Sequence, residues 1–497
     1  MHDTEIVVIG SGIGGLVAGA LLARYGKSVV VCESHTIPGG AIHSFSRQGF
    51  HFDSGASFYC GLSDAHSVNP LRQVLAVLEE PVAAIPYDPF GHYHFPDATL
   101  PVYGNLEKYR SAIANISPQG AIELVKLEKR FLKLYEGLRG IPTLALRSDW
   151  KLAPLLLSRY LPSLLKLLPN LGMIQASVGD LMDQTVRDPW VRRLIDLECF
   201  LLSGLKAHGT IAPEVAFMFG ERTNSVIDYP IGGSGAIVDA LVRGLKKWGG
   251  SLRLGTHVEK ILVESGKVRG VRLRNGEELK SAIVISNATI WDTYSQLLDP
   301  LPNTQDALKT PAIESFMHLH LGIRAEGLEG LTGHHVVVHD DRDITIPGNT
   351  CMISIPSVWD ATLAPDGHHV VHAYTLEPFE GWARNAEYEQ KKHQRSQSLF
   401  RAVEKVIPDL KSRIVLELIG TPLTHARYLR RYQGTYGAGI PAGQGLFPSC
   451  YTPIENLYRV GDSTMPGIGV PAVAASGILC ANTLVDPAQT LELVDLL

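Results

Sequence analysis

The first 33 residues admit few folds. Glu5-Ile6-Val7-Val8-Ile9 is a buried-strand run that passes directly into Gly10-Ser11-Gly12-Ile13-Gly14-Gly15. The spacing then predicts a helix from about Ile13 to Tyr25 and a second apolar strand, Ser28 to Cys32, ending on Glu33. Gly10 permits the tight turn out of the strand, Gly12 lets backbone approach a pyrophosphate, and Gly15 lets the helix pack close on the sheet. Ser11 and Gly14 complete that loop. The helix aims its free N–H groups and positive dipole end at the phosphates. Glu33, at the strand end, is placed to accept hydrogen bonds from a ribose diol. The chain therefore opens on a dinucleotide site.

Which dinucleotide follows from later segments. Pro38-Gly39-Gly40 comes soon after Glu33, where a glycine pair can pass beside a pyrophosphate and ribitol. Gly49 to Gly55 reads as a turn and short strand, with Asp53 either near the cofactor or capping its own turn. Close to the other end, Leu457-Tyr458-Arg459-Val460-Gly461-Asp462 is a strand running into a Gly-Asp pair. Asp462 can bond a ribitol or phosphate-side oxygen. Pro466 to Pro471, with Gly469 and Val470, then turns into a predicted helix, Ala472 to Leu484, whose N-terminus would stabilise negative charge on the N1/O2 edge of a reduced flavin. A nicotinamide dehydrogenase needs no such returning segment, so the cofactor expected is FAD. No second GxGxxG follows a strand, which argues against a separate NAD(P)H domain.

A middle segment rejoins the same unit. Tyr229 to Gly235 leads into a helix from about Ala236 to Trp248, then short strands at Leu252–Leu254 and Val258–Val263. Val268–Leu273 and Ala282–Ser286, with Asn275-Gly276 between them, read as a hairpin. Val258 is expected to offer backbone to the adenine edge, or else to be a plain buried strand residue. The fold expected is α/β: a Rossmann-like FAD-binding domain from residues 1–70, 225–300 and 450–497, and a discontinuous α+β substrate domain from 71–224 and 301–449.

Composition closes off other classes. With 497 residues the chain can bury a large core. A net charge of -5 without basic tracts excludes a nucleic-acid partner. Six cysteines lie singly, with no CxxC pair, as expected of reduced thiols. No run of 18 apolar residues signals a membrane span. A strand starting by residue 5 leaves no room for a leader peptide ahead of it, so a cytoplasmic protein with peripheral membrane association is expected.

Further motifs carry a resemblance. Val8 to Ala18, Ile37-Pro38-Gly39-Gly40, Asp196 to Phe200, Ser354-Ile355-Pro356-Ser357, Gly420 to His425, Gly434-Thr435-Tyr436-Gly437 and Gly461-Asp462-Ser463-Thr464 run nearly the length of the chain. The whole is similar to the phytoene desaturase-related flavoproteins and resembles most the carotenoid (prolycopene) cis–trans isomerase branch. Ile468 and Pro471 stand where that resemblance implies Gln and Ile. It implies flavin-dependent cis-to-trans isomerisation of a poly-cis carotenoid, non-redox overall and using reduced FAD. The alternative it leaves open is a carotenoid desaturase or retinol saturase-like oxidoreductase, with an unknown redox partner. A non-catalytic pigment- or flavin-binding protein is the reading from another class.

A carotenoid dissolves in lipid, so the chain should touch a membrane surface. Residues 151–174 are rich in leucine, with Arg159, Ser163, Lys166 and Asn170 forming a narrow polar stripe and Pro154, Pro162 and Pro169 breaking the run into short helices. Arg159 and Lys166 would reach the headgroups; the alternative is a buried lid. His334, His335 and His339, and likewise His368, His369 and His372, sit in β-rich stretches whose alternation splits each group between two faces, so no metal is expected. The candidates for acid–base chemistry are Glu198, in an apolar setting or else paired with Arg192 or Arg193, then His425 and Arg427 in an expected strand Thr421–Arg427, and Tyr436. Arg430-Arg431 reads as a solvated pair.

Overall fold

The apolar run after Thr4 becomes the middle of a parallel sheet. In the computed structural model, which describes residues 3–55, 57–300 and 304–497, strand β1 is Thr4–Ile9, helix α1 is Ile13–Arg24 and strand β2 is Val29–Cys32. β1 pairs in parallel with β2 on one side and with Glu278–Ser286 on the other. Ser251–Arg253 extends the sheet beyond β2, and Leu457–Arg459 adds to Glu278–Ser286. Both faces of β1 are covered, which is why it reads as continuously apolar. Ile6 and Val8 meet α1, while Val7 and Ile9 join a second cluster with Val271, Val284 and Ile290. The Asn275-Gly276 turn joins Lys267–Leu273 antiparallel to Glu278–Ser286, and Val258–Glu264 completes that meander. The sheet thus draws its strands from three separated stretches of chain.

A second sheet also has seven strands. Its order is Ile414–Gly420, Ser315–Arg324, His368–Glu377, Thr350–Ser354, His334–Val338, Gly91–His94, Thr99–Val102. Ser315–Arg324 shows how strand alternation builds two different faces. Met317, Leu319, Leu321 and Ile323 pack with Leu399, Ala402 and Val403 of the helix Tyr388–Val406. Phe316, His318 and His320 point the other way, toward the hairpin Ser44–Arg47/Phe50–Asp53 that leaves the dinucleotide unit. Gly322 lies on that face because a Cβ there would come within 2.5 Å of the Phe50 ring. Helices from Leu106 to Asn224 form a layer over the far part of this sheet, sharing a core with Tyr93, Val336 and Met352.

One expectation changes here. Residues 421–427 are not a strand but the start of a helix, Pro422–Leu429. Thr421 caps it reciprocally with Thr424, and Pro422 occupies its first turn, a local signature strong enough to override β-branched content. The segment at 151–174 does break into short pieces, Leu152–Arg159, Leu161–Leu167 and Leu168–Met173. In its polar stripe Arg159 and Lys166 are exposed, while Ser163 and Asn170 are half-buried. Ser163 is half-buried against Gly140, whereas Leu157, Leu161, Leu165, Leu168 and Leu171 are 46–60 % exposed. Arg159 is paired with Asp495 at the surface. Among the described residues no helix is long and apolar enough to cross a membrane.

Candidate active site

The glycine loop is built by close approach. A Cβ on Gly15 would lie 2.2 Å from the Gly10 carbonyl oxygen, and one on Gly14 would lie 2.8 Å from both Asn287 Oδ1 and the Gly461 nitrogen. A Cβ on Gly40, at φ 56°, would lie 3.1 Å from Gly12 Cα. Backbone from the two ends of the chain therefore converges without side chains of its own, and the Asn287 amide from the middle of the chain fits against it. The Gly39 N–H donates to the Ser11 carbonyl at 3.1 Å. Helix α1 starts at Gly12 with no side-chain cap and no acid in its first turn, and so does the helix Val470–Thr483 after Gly469. Two uncapped helix N-termini at one junction suit an anionic, two-ended ligand.

Glu33 is buried at the end of β2. Its Oε2 accepts from Ser11 N–H at 2.9 Å and Ser11 Oγ at 2.7 Å, and its Oε1 accepts from His35 N–H at 2.7 Å. The segment approaching Val258 runs alongside: Glu33 N–H donates to the Arg253 carbonyl and Thr256 N–H to the Glu33 carbonyl. Val258 itself is buried and pairs with Leu273. Asp53 is not a self-capped turn. It accepts Ser234 N–H at 2.8 Å, capping the helix Ser234–Lys247, and the Tyr229 hydroxyl at 2.6 Å.

At the other end of the site, Gly461 donates to Ser476 Oγ at 2.9 Å and Asp462 is ion-paired with Arg431. Arg431 also donates through Nε to the Thr435 carbonyl. It is thus a half-buried tie between the Gly-Asp loop and the loop bearing Tyr436, not a solvated charge. A Cβ on Gly437 would meet Ile468 at 2.5 Å and Asp462 at 3.4 Å, so the two loops are packed together. Asn287 carries no signal in the sequence. It follows a strand by one residue and touches Gly12, Gly14 and Gly461 only in the fold.

Beyond Asp462 lies an aromatic wall. Tyr436 meets Phe316 edge-on at 5.1 Å, Phe316 meets His425 at 6.3 Å, and His425 lies over His318 at 5.2 Å. His425 Nδ1 donates to the Gly434 carbonyl at 2.9 Å, and burial lowers its pKa to about 4. Burial, followed by the charge of Asp462, pushes the Tyr436 phenol up to about 12. Both residues stay neutral at physiological pH, and both keep some solvent-accessible surface, as does Tyr374.

Glu198 does not belong to this wall as a free acid. It accepts from Arg222 Nη1 at 2.8 Å and from the Tyr109 hydroxyl at 3.2 Å. Arg192 and Arg193 pair elsewhere, with Asp183 and with Asp97 and Asp341. Arg222 is the true partner, 24 residues along on another helix. Among the described residues Glu214, in the first turn of the helix Ala212–Asn224, buries a carboxyl oxygen with no hydrogen-bond partner.

The histidines regroup. His334 and His335 do fall on opposite faces, His334 against Phe58 and Trp359, His335 with His92 and His94. His372, however, meets His318 and His320 from the neighbouring strand, and one nitrogen from each lies within 4.8 Å of the others. The rings of His320 and His372 are stacked at 4.3 Å with planes 4° apart, and His318 Nδ1 is hydrogen-bonded to His372 Nε2 at 2.9 Å. The hydrogen bond and the ring stacking make the three imidazoles a ladder within the aromatic wall.

Comparison with known proteins agrees with this geometry. Residues 13–485 match the model of the family described as flavin containing amine oxidoreductase. Prolycopene isomerase, chloroplastic, of Daucus carota is 36 % identical over 97 % of this chain and 80 % of its own length. A neurosporene-forming phytoene desaturase of Cereibacter sphaeroides is 29 % identical over 97 % of this chain and 94 % of its own. In solved structures, an oxidoreductase from Methanosarcina mazei shares the fold with a TM-score of 0.64 at 21 % identity, over 95 % of this chain and 98 % of that one. The cofactor is FAD, and the glycine-lined cradle with two uncapped helix ends fits it. The chain therefore belongs to the flavin containing amine oxidoreductases and, within them, to the prolycopene isomerase family.

Proposed function

We propose that the protein isomerises a poly-cis carotenoid such as prolycopene to the all-trans form, with no net oxidation, at the wall formed by Phe316, His318, Tyr374, His425 and Tyr436. The observation that carries this reading is a neutral, aromatic surface abutting the Gly-Asp loop of the flavin site through Arg431. Bound and reduced, FAD would supply electron density against a conjugated chain and lower its double-bond order. The loop residues Gly10, Ser11, Gly12, Gly14, Gly15, Gly39 and Gly40 would hold the pyrophosphate side. Glu33 would meet the adenosine ribose, and the segment to Val258 the adenine. Asp462 with Gly461 would hold the ribitol, and the helix after Gly469 and Val470 would face the ring. Aromatic faces and neutral imidazoles would hold the polyene flat and exclude water without presenting a charge to it. Anaerobic incubation of the chemically reduced holoprotein with prolycopene in liposomes tests the reading. A product of unchanged mass with all-trans absorption is expected; a change of two hydrogens assigns a desaturase or saturase instead.

The protein would take its substrate from a membrane surface, through peripheral association by the exposed leucines at 157, 161, 165, 168 and 171, with Trp150 and Lys166 beside them. Each leucine withdrawn from water contributes on the order of 1–2 kcal/mol, and Lys166 can reach headgroups while its stem stays apolar. The combined change Leu161→Glu, Leu165→Glu and Leu168→Glu should lower binding to anionic liposomes in flotation by more than about tenfold. FAD content should not change.

A further inference from the structure

We propose that Glu214 is the acid and base of the reaction: its carboxyl proton adds to a carbon of the conjugated chain, and the resulting carboxylate removes a proton after rotation. This rests on the isomerase reading above. The interior carboxylates divide sharply. Glu33, Asp53, Glu198, Glu377 and Asp462 are each held by hydrogen bonds or an arginine, and each is accounted for by the fold. Glu128 also buries one oxygen without a hydrogen-bond partner, but its other oxygen is paired with Arg110; among the described residues nothing bonds the Glu214 side chain, whose Oε1 is buried. An unpaired polar atom inside a protein costs folding free energy, so its retention calls for a use.

Its position supplies one. The helix it opens shares a core with the wall: Ala212, Val215 and Ala216 cluster with Phe316 and with Cys199 of the helix Pro189–Ser203, and Tyr436 and Tyr374 pack against that cluster. Glu214 therefore lies on the Tyr436 side of the flavin loop, and like Tyr436 it retains some accessible surface while enclosed. Among the described residues no cation offsets the enclosure, and burial raises its pKa to about 7. Burial holds both Tyr436 and Cys199 far above that range, so neither titrates with it. A carboxyl poised near neutrality can both give and take a proton.

The step balances without an oxidant. The O–H bond of Glu214 breaks as a C–H bond forms from one π pair of the polyene. The positive charge spreads along the chain, beside the carboxylate just made and the ring faces of Tyr436 and Phe316. Lowered bond order permits rotation. As the protonated carbon turns, its original hydrogen comes to face the carboxylate, and loss of that proton to Glu214 restores the alkene in the trans form while the delivered hydrogen stays on the carbon.

Reduced holoprotein and prolycopene liposomes in deuterated buffer provide the test, with product mass and geometry followed together. Isomerised product from the unaltered protein should gain deuterium. E214Q should isomerise at least 100-fold more slowly at unchanged FAD content, and its residual product should carry none; E214D should recover part of the rate. The unaltered rate should fall tenfold per pH unit above about 7. Thermal melting gives a readout apart from turnover. The native carboxyl, with its pKa raised from the ordinary 4.5 to about 7, binds its proton more tightly than the unfolded one, so folding stability is lost as pH climbs between those values. E214Q should escape that loss and melt higher than the unaltered protein at pH 8, but not at pH 4. Rapid isomerisation without deuterium, or E214Q at full rate, overturns the role of Glu214 and leaves the isomerase reading standing. No isomerised product from the unaltered protein overturns the reading beneath it.

Discussion

Arg222→Met is expected to lower folding stability by about 3–5 kcal/mol, enough to leave much of the protein insoluble on expression. Arg222 is 2 % exposed, among the largest fully buried side chains. Its guanidinium meets Glu198 at 2.8 Å and lies 4.9 Å from the Tyr109 ring and 5.2 Å from the Phe219 ring. Removing the cation leaves the Glu198 carboxylate enclosed with only the Tyr109 hydroxyl, and an uncompensated interior charge is costly. The loss should be read as a shift of the urea midpoint of the FAD-loaded protein. The double change Glu198→Leu with Arg222→Met should recover most of it, since both charges then leave together. A single variant as stable as the unaltered protein would show that the pair is dispensable to the helical layer.

Gly15→Ala is expected to weaken FAD binding by at least about 100-fold, or roughly 3 kcal/mol. The added carbon would lie 2.2 Å from the Gly10 carbonyl oxygen and 3.1 Å from Asn287 Cβ. The first of these is backbone and has no rotamer to adopt, so α1 must move away from the loop it follows. That movement also shifts the amides aimed at the pyrophosphate. The visible flavin spectrum of purified protein reports the loss, and titration with FAD after stripping measures it. Gly330→Ala is the control, because nothing lies within 4 Å of where its methyl group would stand and its backbone is not left-handed. Equal FAD content in the two variants would contradict the close-approach argument.

These predictions differ in how far the sequence alone supports them. The role of Gly15 is legible because strand, turn and helix are consecutive, and local sterics leave the loop little choice. The Asn275-Gly276 hairpin is legible for the same reason. The pairing of Glu198 is not: Arg192 and Arg193 lie nearer in sequence, but Arg222 lies nearer in space. The helix at Pro422–Leu429 is legible in principle, since Thr421, Pro422 and Thr424 are a cap signature, yet β-branched content puts His425 and Arg427 on an expected strand.

The histidines make the same point from the other direction. Alternation along single strands correctly separates His334 from His335, but strand pairing alone joins His372 to His318 and His320 across a register of some fifty residues. Glu214 has no signal at all, for its distinction is the absence of partners, and absence is a property of the folded surroundings.

By itself the sequence determined the cofactor class and the parallel sheet that carries it, because turn sterics, helix polarity and strand periodicity act within about thirty residues. Tertiary structure decided which charges are cancelled and which is left alone. Burial and pairing are set by elements that meet only when the chain is closed, so Arg431 became a tie to Asp462, Glu198 an ion pair, and Glu214 an acid without a partner.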